Sequence, residues 1–252
     1  MAKAQESPWR LFKQALRDYR QHWTLLVGVV LVVSLPVALL TTFKIVETSS
    51  DTTAAAYVSF AQLIMNTAII YAIIKVIKGE ELPNVRTIYY QSSQAFLRLF
   101  LASVVLVLTL LFFLLGLFIV AAGVIAPNAQ LGSAELGLLV GLAIIIALPS
   151  LWLLPKSMWA LYLVFESEIG PLEAVRASWR LTAGRTWKTL GYLAALTLFL
   201  LGLMAVPLIG FLFLQNLTQW PIWEPLLQLT ATLLVVPISN LYLYRYLRNM
   251  RR

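Results

Sequence analysis

Residues 99–125, LFLASVVLVLTLLFFLLGLFIVAAGVI, form an apolar run that contains no charged side chain. A helix of roughly 20 apolar residues crosses the hydrocarbon core of a bilayer, and this run is longer than that. A helix that is hydrophobic on every side must be covered by the core of a large protein or by lipid. The run therefore predicts a transmembrane helix.

The composition extends this prediction to the rest of the chain. Of its 252 residues, 60% are hydrophobic and 12% are charged, whereas a soluble domain has about 25% charged residues. Five further runs reach or approach spanning length. The six predicted spans are residues 25–43, 54–75, 99–125, 136–165, 190–214 and 223–244. The predicted fold class is all-α, a polytopic membrane protein whose residues 1–252 form a single integral membrane domain.

The Lys and Arg residues are concentrated on one side of the predicted spans. Of the 19, only Lys44 falls in a loop on the other side. Because short cytoplasmic loops carry the excess of Lys and Arg in membrane proteins, we expect both termini in the cytoplasm. We interpret the net charge of +8 as an orientation signal and not as a nucleic-acid surface. The predicted anchors at the headgroup level are Trp9, Trp23, Trp187, Tyr242, Tyr244 and Tyr246.

A short segment that opens near a proline precedes each pair of predicted spans. The prolines are Pro8, Pro83 and Pro171. The predicted units are an interfacial helix at 7–23 with a hairpin at 25–75, an interfacial segment and hairpin at 83–165, and an interfacial helix and hairpin at 170–248. This order predicts a threefold repeat. The alternative is that any short loop before a span looks amphipathic, in which case the pattern is not a repeat.

The first and third segments predict amphipathic helices that lie in the membrane interface. In the first, Trp9, Phe12, Leu16, Tyr19 and Trp23 form the predicted apolar face, and Arg10, Lys13, Arg17 and Arg20 the cationic face. In the third, Leu172, Val175, Trp179 and Thr182 share one face, Glu173, Arg176 and Arg180 share the other, and Gly184 ends the helix. Such helices bury the apolar face in the acyl boundary and hold cations toward anionic headgroups.

Residues 156–191 carry the most specific motif of the chain. A basic residue precedes an apolar run and an acidic residue, and Gly-Pro, Ala, Ser-Trp-Arg-Leu-Thr and Gly-Arg-x-Trp follow. The matching positions are Lys156, Glu166, Gly170, Pro171, Ala174, Ser178, Trp179, Arg180, Leu181, Thr182, Gly184, Arg185 and Trp187. The segment resembles the membrane domain of some bacterial glycerophosphodiester phosphodiesterases and related stand-alone multi-pass membrane proteins of unknown function. Ala183 and Thr186 depart from the pattern, where a basic and an aromatic residue are usual.

The resemblance implies a membrane module without the diesterase chemistry. In the fused relatives that activity belongs to a separate soluble barrel with acidic metal ligands and histidines. This chain has 11 acidic residues scattered along loops and a single His, which cannot form such a barrel. Cysteine is absent, and no phosphate loop, serine elbow or zinc-protease helix occurs. We therefore expect a protein of the bacterial cytoplasmic membrane that is not an enzyme and needs no metal or other cofactor.

Lys156 is the first candidate functional residue. Pro149 and Pro155 interrupt the fourth span and predict a kinked or broken helix just before it. An ionisable group beside an apolar run is costly unless it reaches the interface, pairs or faces water, and Glu166 or Glu168 is the predicted partner. The alternative is that Lys156 only marks the end of the span.

A set of basic and indole side chains around Lys156 is suited to a phospholipid headgroup. The candidates are Lys156, Arg176, Trp179, Arg180, Arg185, Trp187 and Lys188. Generic anchoring at the interface explains them nearly as well. Membrane phospholipids are therefore the expected partners, with a protein partner left open.

Two further patterns lie inside the spans. Ser59, Gln62 and Asn66 make one face of the second span polar, and this stripe either lines a pathway or forms hydrogen bonds between helices. Ser133, Gly137 and Gly141 predict close helix packing in the fourth span.

Two hypotheses of function remain. In the first, the protein is a non-enzymatic module that binds or organises lipids or supports membrane-associated partners. In the second, it is a small-molecule or lipid transporter or channel, whose route is lined by the polar stripe, Lys156 and the broken fourth helix. An intramembrane enzyme would need convergent catalytic groups, and the sequence offers none.

Overall fold

The computed structural model describes residues 6–42, 52–81, 83–125, 133–218 and 223–251. These residues form ten α-helices and no strand. The helices are α1 (Pro8–Gln21), α2 (Trp23–Thr42), α3 (Thr52–Lys78), α4 (Val85–Ser93), α5 (Phe96–Ile125), α6 (Ser133–Ser157), α7 (Ala160–Glu166), α8 (Pro171–Thr182), α9 (Thr186–Thr218) and α10 (Trp223–Arg251). Lys44 lies outside the described residues.

Six of these helices, α2, α3, α5, α6, α9 and α10, are long and apolar enough to cross a membrane. Their large apolar side chains remain exposed, as in Val206 of α9 and Leu138 of α6, which are 77% and 76% exposed. Apolar surface that is exposed along whole helices requires lipid around it, because exposing a patch of that size to water is energetically unfavourable. The prediction of an all-α polytopic membrane protein with six transmembrane helices is confirmed.

The fourth span breaks after its prolines and not at them. Helix α6 continues through Pro149 and Pro155 and ends at Ser157, and α7 begins at Ala160. Proline is tolerated inside a transmembrane helix when neighbouring groups satisfy the backbone atoms that it leaves free. The broken helix that the sequence predicts is present, with the break placed where the chain turns toward α8.

Helices α5 and α6 contact each other through the hydroxyl of Ser150 and through a close backbone approach at Gly116. The Ser150 hydroxyl donates to the carbonyl of Thr109 at 2.6 Å and accepts from the amide of Phe113 at 3.0 Å, so it bridges two backbone groups of one turn of α5. At Gly116 a Cβ atom would lie 2.7 Å from the carbonyl oxygen of Ala143, which is closer than packing allows. The two backbones therefore approach most tightly beside a glycine of α5.

Gly137 and Gly141, which were predicted to pack closely in the fourth span, make no such contact with the described residues. A Cβ atom at Gly137 or Gly141 would meet no described atom within 4 Å, and the side chain of Ser133 lies outside the described part. The small residue that the hairpin requires is on the neighbouring helix, because close approach of two helices needs a missing side chain on only one of them.

The order of a short helix followed by two spans occurs three times. Pro8 opens α1 and Trp23 opens α2, while Pro171 opens α8 and Thr186 opens α9, so both spans begin 15 residues after the proline. In the middle copy α4 begins two residues after Pro83 and is shorter. Helix α7 is an addition to the second copy.

The packed face of each short helix overlaps only in part with the apolar face that the sequence predicts. The buried residues are Leu11, Phe12, Ala15 and Asp18 on α1, and Ala174, Ser178 and Thr182 on α8. Leu172 and Trp179, which were predicted to lie on the apolar face toward the acyl boundary, are 67% and 40% exposed, so they are open to lipid. On α8 the small side chains of Ala174 and Ser178 let the helix backbone approach its neighbours, whereas on α1 the large side chains of Leu11 and Phe12 are also buried. The predicted cationic residues on both helices are exposed, as expected.

The chain divides into two compact units. Unit one comprises Met1–Leu97 and Gly191–Arg252, and unit two comprises Arg98–Leu190. The boundaries fall inside α5 and α9, so the units do not coincide with the predicted hairpins. In unit one, α10 packs against α1, α2 and α3.

The tyrosines near the end of α10 are not interfacial anchors. Tyr242, Tyr244 and Tyr246 are fully buried, because α10 continues beyond the apolar run to pack against α1 and α9. The Tyr242 hydroxyl donates to the carbonyl of Tyr192 at 3.1 Å, and the rings of Tyr246 and Tyr192 stack at 4.3 Å. The predicted anchors Trp9, Trp23 and Trp187 are exposed.

Candidate lipid-headgroup site

Helix α8 is fixed against the end of α6 by side-chain hydrogen bonds in unit two. The Ser178 hydroxyl donates to the carbonyl of Lys156, and Nε1 of Trp179 donates to the hydroxyl of Ser157 at 3.2 Å. Helix α8 begins at Pro171, whose missing N–H is not needed in the first turn. It ends before Gly184, which has φ +73°, a conformation that glycine adopts without strain. These contacts position α8 at the last turn of the preceding span.

The Lys156 ammonium lies between two indole rings. Its Nζ is 3.1 Å from the centroid of the Trp152 ring and 5.8 Å from that of Trp179. Trp152 precedes Lys156 by one helical turn on α6, so both side chains lie on the same face. Contacts between a cation and an aromatic face are worth about 0.5–1 kcal/mol at exposed sites. We call Trp152, Lys156 and Trp179 the indole clamp.

The described contacts of Lys156 are with these two rings, and its pairing with Glu166 or Glu168 stays a prediction. Glu168 lies in the loop before α8 with φ +52°, and its carbonyl accepts a hydrogen bond from Nη1 of Arg98 at 3.0 Å. The described contacts thus hold the Lys156 ammonium against indole rings at the end of α6.

The remaining candidate side chains lie on α8, in the turn that follows it and in the first turn of α9. Arg176, Arg180, Arg185 and Lys188 are all exposed, and Trp187 is 84% exposed. Each basic residue near an anionic membrane surface contributes about 1 kcal/mol of attraction. The structure thus brings Lys156 and Trp179 into one cluster and leaves the other predicted residues around it on the surface.

Sequence reasoning missed Trp152. Its signal was its position four residues before Lys156 on a helix, which is the spacing of side chains that touch. The residue was hidden among the apolar side chains of the fourth span, where a tryptophan is expected for its hydrophobicity alone.

The polar stripe of α3 belongs to unit one. Gln62 is exposed and lines a recess of about 30 Å³ together with Ser34 of α2 and Gln228 and Thr232 of α10. Ser59 is exposed and Asn66 is half-buried. A recess of that size holds about one water molecule. The stripe therefore contributes one residue to a small polar recess that α2 and α10 complete.

Among the described residues, no three His, Asp or Glu side chains come together as a metal site. Comparisons with known proteins give no match, whether to a family model, a curated protein or a solved structure. Function must follow from the geometry of the chain itself.

Proposed function

We propose that this membrane protein is a non-enzymatic module that binds the headgroup of an anionic phospholipid at the indole clamp and the exposed cations of α8. The observation that carries the proposal is the placement of the Lys156 ammonium between Trp152 and Trp179. The rings hold the cation at the end of a span, where a headgroup phosphate lies. Organising lipids in this way is compatible with support of a membrane-associated partner.

The chemistry of the site suits a phosphate ester. An ammonium offers three N–H donors, and the guanidinium groups of Arg176 and Arg180 can each grip two phosphate oxygens. The indoles suit the level of the glycerol backbone because they combine an apolar body with a polar N–H. Because the clamp already restricts the Lys156 side chain, less conformational entropy is lost when a headgroup binds.

The location that accompanies this proposal is the cytoplasmic membrane of a bacterium, with both termini in the cytoplasm. The distribution of Lys and Arg supports that orientation. The likeness of residues 156–191 to the membrane domain of bacterial phosphodiesterases supports the source and the absence of diesterase chemistry. In this orientation the clamp faces the inner leaflet, whose anionic lipids attract basic segments.

Transport remains the alternative, and its support is the recess beside Gln62. A volume of about 30 Å³ accommodates water and not a solute. Flux of a small solute into liposomes, lost in Gln62→Leu and retained in Arg176→Glu, would favour this alternative over lipid binding.

The threefold order of the chain provides a matched test of lipid binding. Lys13 and Arg17 on α1 stand five and nine residues after Pro8, as Arg176 and Arg180 stand after Pro171 on α8. We would compare Arg176→Glu/Arg180→Glu with Lys13→Glu/Arg17→Glu by native mass spectrometry of protein incubated with phosphatidylglycerol or phosphatidylcholine. Both double variants change the net charge equally, but only α8 adjoins the indole clamp.

The expected result is retention of phosphatidylglycerol by the parent and by the α1 variant, with loss in the α8 variant. Two contacts of about 1 kcal/mol each correspond to roughly 30-fold weaker binding. Lys156→Met should weaken retention in the same direction. Equal loss in both double variants would mean that the basic helices are only anchors, and the proposal would fail.

A further inference from the structure

A second cavity lies in unit one, between α3, α4 and the first turn of α5, and its volume is about 200 Å³. Phe60, Ile64 and Thr67 of α3 form one wall, and Tyr89, Ser92 and Ser93 of α4 form the other. None of the predicted sites includes this cavity. Like the indole clamp, it lies beside a short helix that precedes a span, but it is lined by different side chains.

The lining is apolar although four of its residues carry hydroxyl groups. The Tyr89 hydroxyl donates to the carbonyl of Val29 at 2.6 Å. Thr67, Ser92 and Ser93 donate to carbonyls of their own helices at 2.7, 3.1 and 2.7 Å. Since each hydroxyl proton is used, the cavity offers water no free donor from these residues. A stable buried water usually makes two to four hydrogen bonds, so a hydrocarbon occupant is favoured over water.

The cavity reaches the outer surface of unit one at the depth of the hydrocarbon. Phe60 forms part of the rim, where it is 51% exposed and meets Phe96 edge to face at 5.5 Å between centroids. Phe60, Ile64 and Thr67 belong to the membrane-spanning part of α3, Ala56–Lys78. The surface around the rim is therefore covered by lipid chains. An apolar cavity left unfilled would forfeit the dispersion contacts of its lining atoms.

Arg86 offers a cation on the face of α4 that lines the cavity. Arg86 is exposed and stands three residues before Tyr89 and seven before Ser93, so all three share one face of α4. About 10 Å of helix separates Arg86 from Ser93. This distance lets the phosphate lie beside the guanidinium while the chain lies in the cavity.

We propose that this cavity binds one acyl chain of a glycerophospholipid from the leaflet that borders α4. The occupant is selected by its hydrocarbon chain, with the phosphate beside Arg86, and its net charge is of little importance. The site is separate from the indole clamp and does not depend on the function proposed for it.

The test uses the full protein in vesicles of phosphatidylcholine that contain a phosphatidylcholine with a photoactivatable diazirine on one acyl chain. After illumination, mass spectrometry locates the labelled residues. This lipid has no net charge, so failure of anionic headgroup binding at α8 leaves the experiment unaffected. We expect labelling concentrated in residues 60–67 of α3 and 89–96 of α4 and α5.

Ser93→Phe fills the cavity from its exposed rim and should reduce this labelling to the level found on the rest of the apolar surface. Ser103→Phe is the matched control, because Ser103 of α5 also donates to the carbonyl three residues earlier, at 2.7 Å, but does not line the cavity. Thermal unfolding of Ser93→Phe beside Ser103→Phe shows whether lost labelling reflects a folding defect. Labelling spread evenly over all spans, or unchanged in a folded Ser93→Phe variant, would overturn the proposal.

Discussion

Arg245 of α10 forms an ion pair with Asp18 of α1, with 2.5 Å between Nη2 and Oδ2. The same guanidinium donates from Nη1 to the Gln14 side chain at 3.0 Å. Asp18 is largely buried, and Arg245 is partly buried. The pair therefore joins the first and last helices of the described chain in a setting where water screens the charges poorly.

Removing one partner of this pair should destabilise unit one. In Asp18→Asn the guanidinium of Arg245 loses its counter-charge but stays partly buried, which we expect to cost about 1–3 kcal/mol. Thermal unfolding in detergent measures the change. Glu80→Gln is the control, because Glu80 pairs with Lys75 at 2.9 Å on an exposed surface, where such pairs contribute little. Equal shifts of the unfolding midpoint in the two variants would show that burial does not make the Asp18–Arg245 pair more important for stability.

Gly116→Ala should destabilise the α5–α6 hairpin. The added Cβ atom would lie 2.7 Å from the carbonyl oxygen of Ala143, so the helices must separate at a cost of about 1–3 kcal/mol. The midpoint of thermal unfolding should fall. Gly141→Ala is the comparison, because its Cβ would meet no described atom within 4 Å, and it should be neutral or slightly stabilising. The reverse order of stabilities would show that α5 and α6 pack through the face of Gly141.

Glu168→Gly should stabilise the loop before α8. Glu168 has φ +52°, which a non-glycine residue adopts at a cost of about 1–2 kcal/mol. Glycine removes that cost but gains entropy in the unfolded chain, so we expect a net gain of a few tenths to about 1 kcal/mol. The hydrogen bond from Arg98 goes to the backbone carbonyl and is retained. Glu168→Val should lower the unfolding midpoint. A higher midpoint in that variant would contradict the inference that the backbone is strained at Glu168.

Tyr89 should make unit one sensitive to alkaline pH. Burial raises the pKa of Tyr89 to about 12, whereas an unfolded tyrosine has a pKa near 10. The neutral hydroxyl thus contributes stability that is complete below about pH 10 and is lost as the pH rises toward about 12. Between pH 9 and 11 the unfolding midpoint of the parent should fall more steeply than that of Tyr89→Phe. Tyr90→Phe, at an exposed side chain, should keep the parent slope.

Hydropathy was sufficient to predict the six spans, because a bilayer demands about 20 apolar residues whatever their partners. It was not sufficient to predict which helix faces pack. In lipid, a leucine gains little when its hydrocarbon neighbours are replaced by protein ones. The apolar periodicity of a helix therefore does not distinguish its lipid-facing side from its protein-facing side. Leu172 and Trp179 accordingly face outward while Ala174 and Ser178 are buried.

In the candidate headgroup site, too, helical spacing predicted some features, while others depended on how the helices pack together. Exposure of Arg176 and Arg180 was predicted from their helical spacing, since charged side chains avoid packed faces. The indole clamp was not predicted, because Trp179 comes near the Lys156 ammonium only through the docking of α8 on α6. Likewise Gly116 became recognisable as a close contact only once Ala143 was placed against it.

The ion pair between Asp18 and Arg245 has a consequence for biosynthesis. The two residues are 227 positions apart in the chain. At a translation rate of roughly 5–20 residues per second, α1 leaves the ribosome on the order of ten to forty-five seconds before its partner does. During that interval its buried face, with Leu11 and Ala15, has no α10 to cover it. We expect the nascent chain to hold α1 at the membrane surface during that interval, whereas residues 98–190 can pack before synthesis ends.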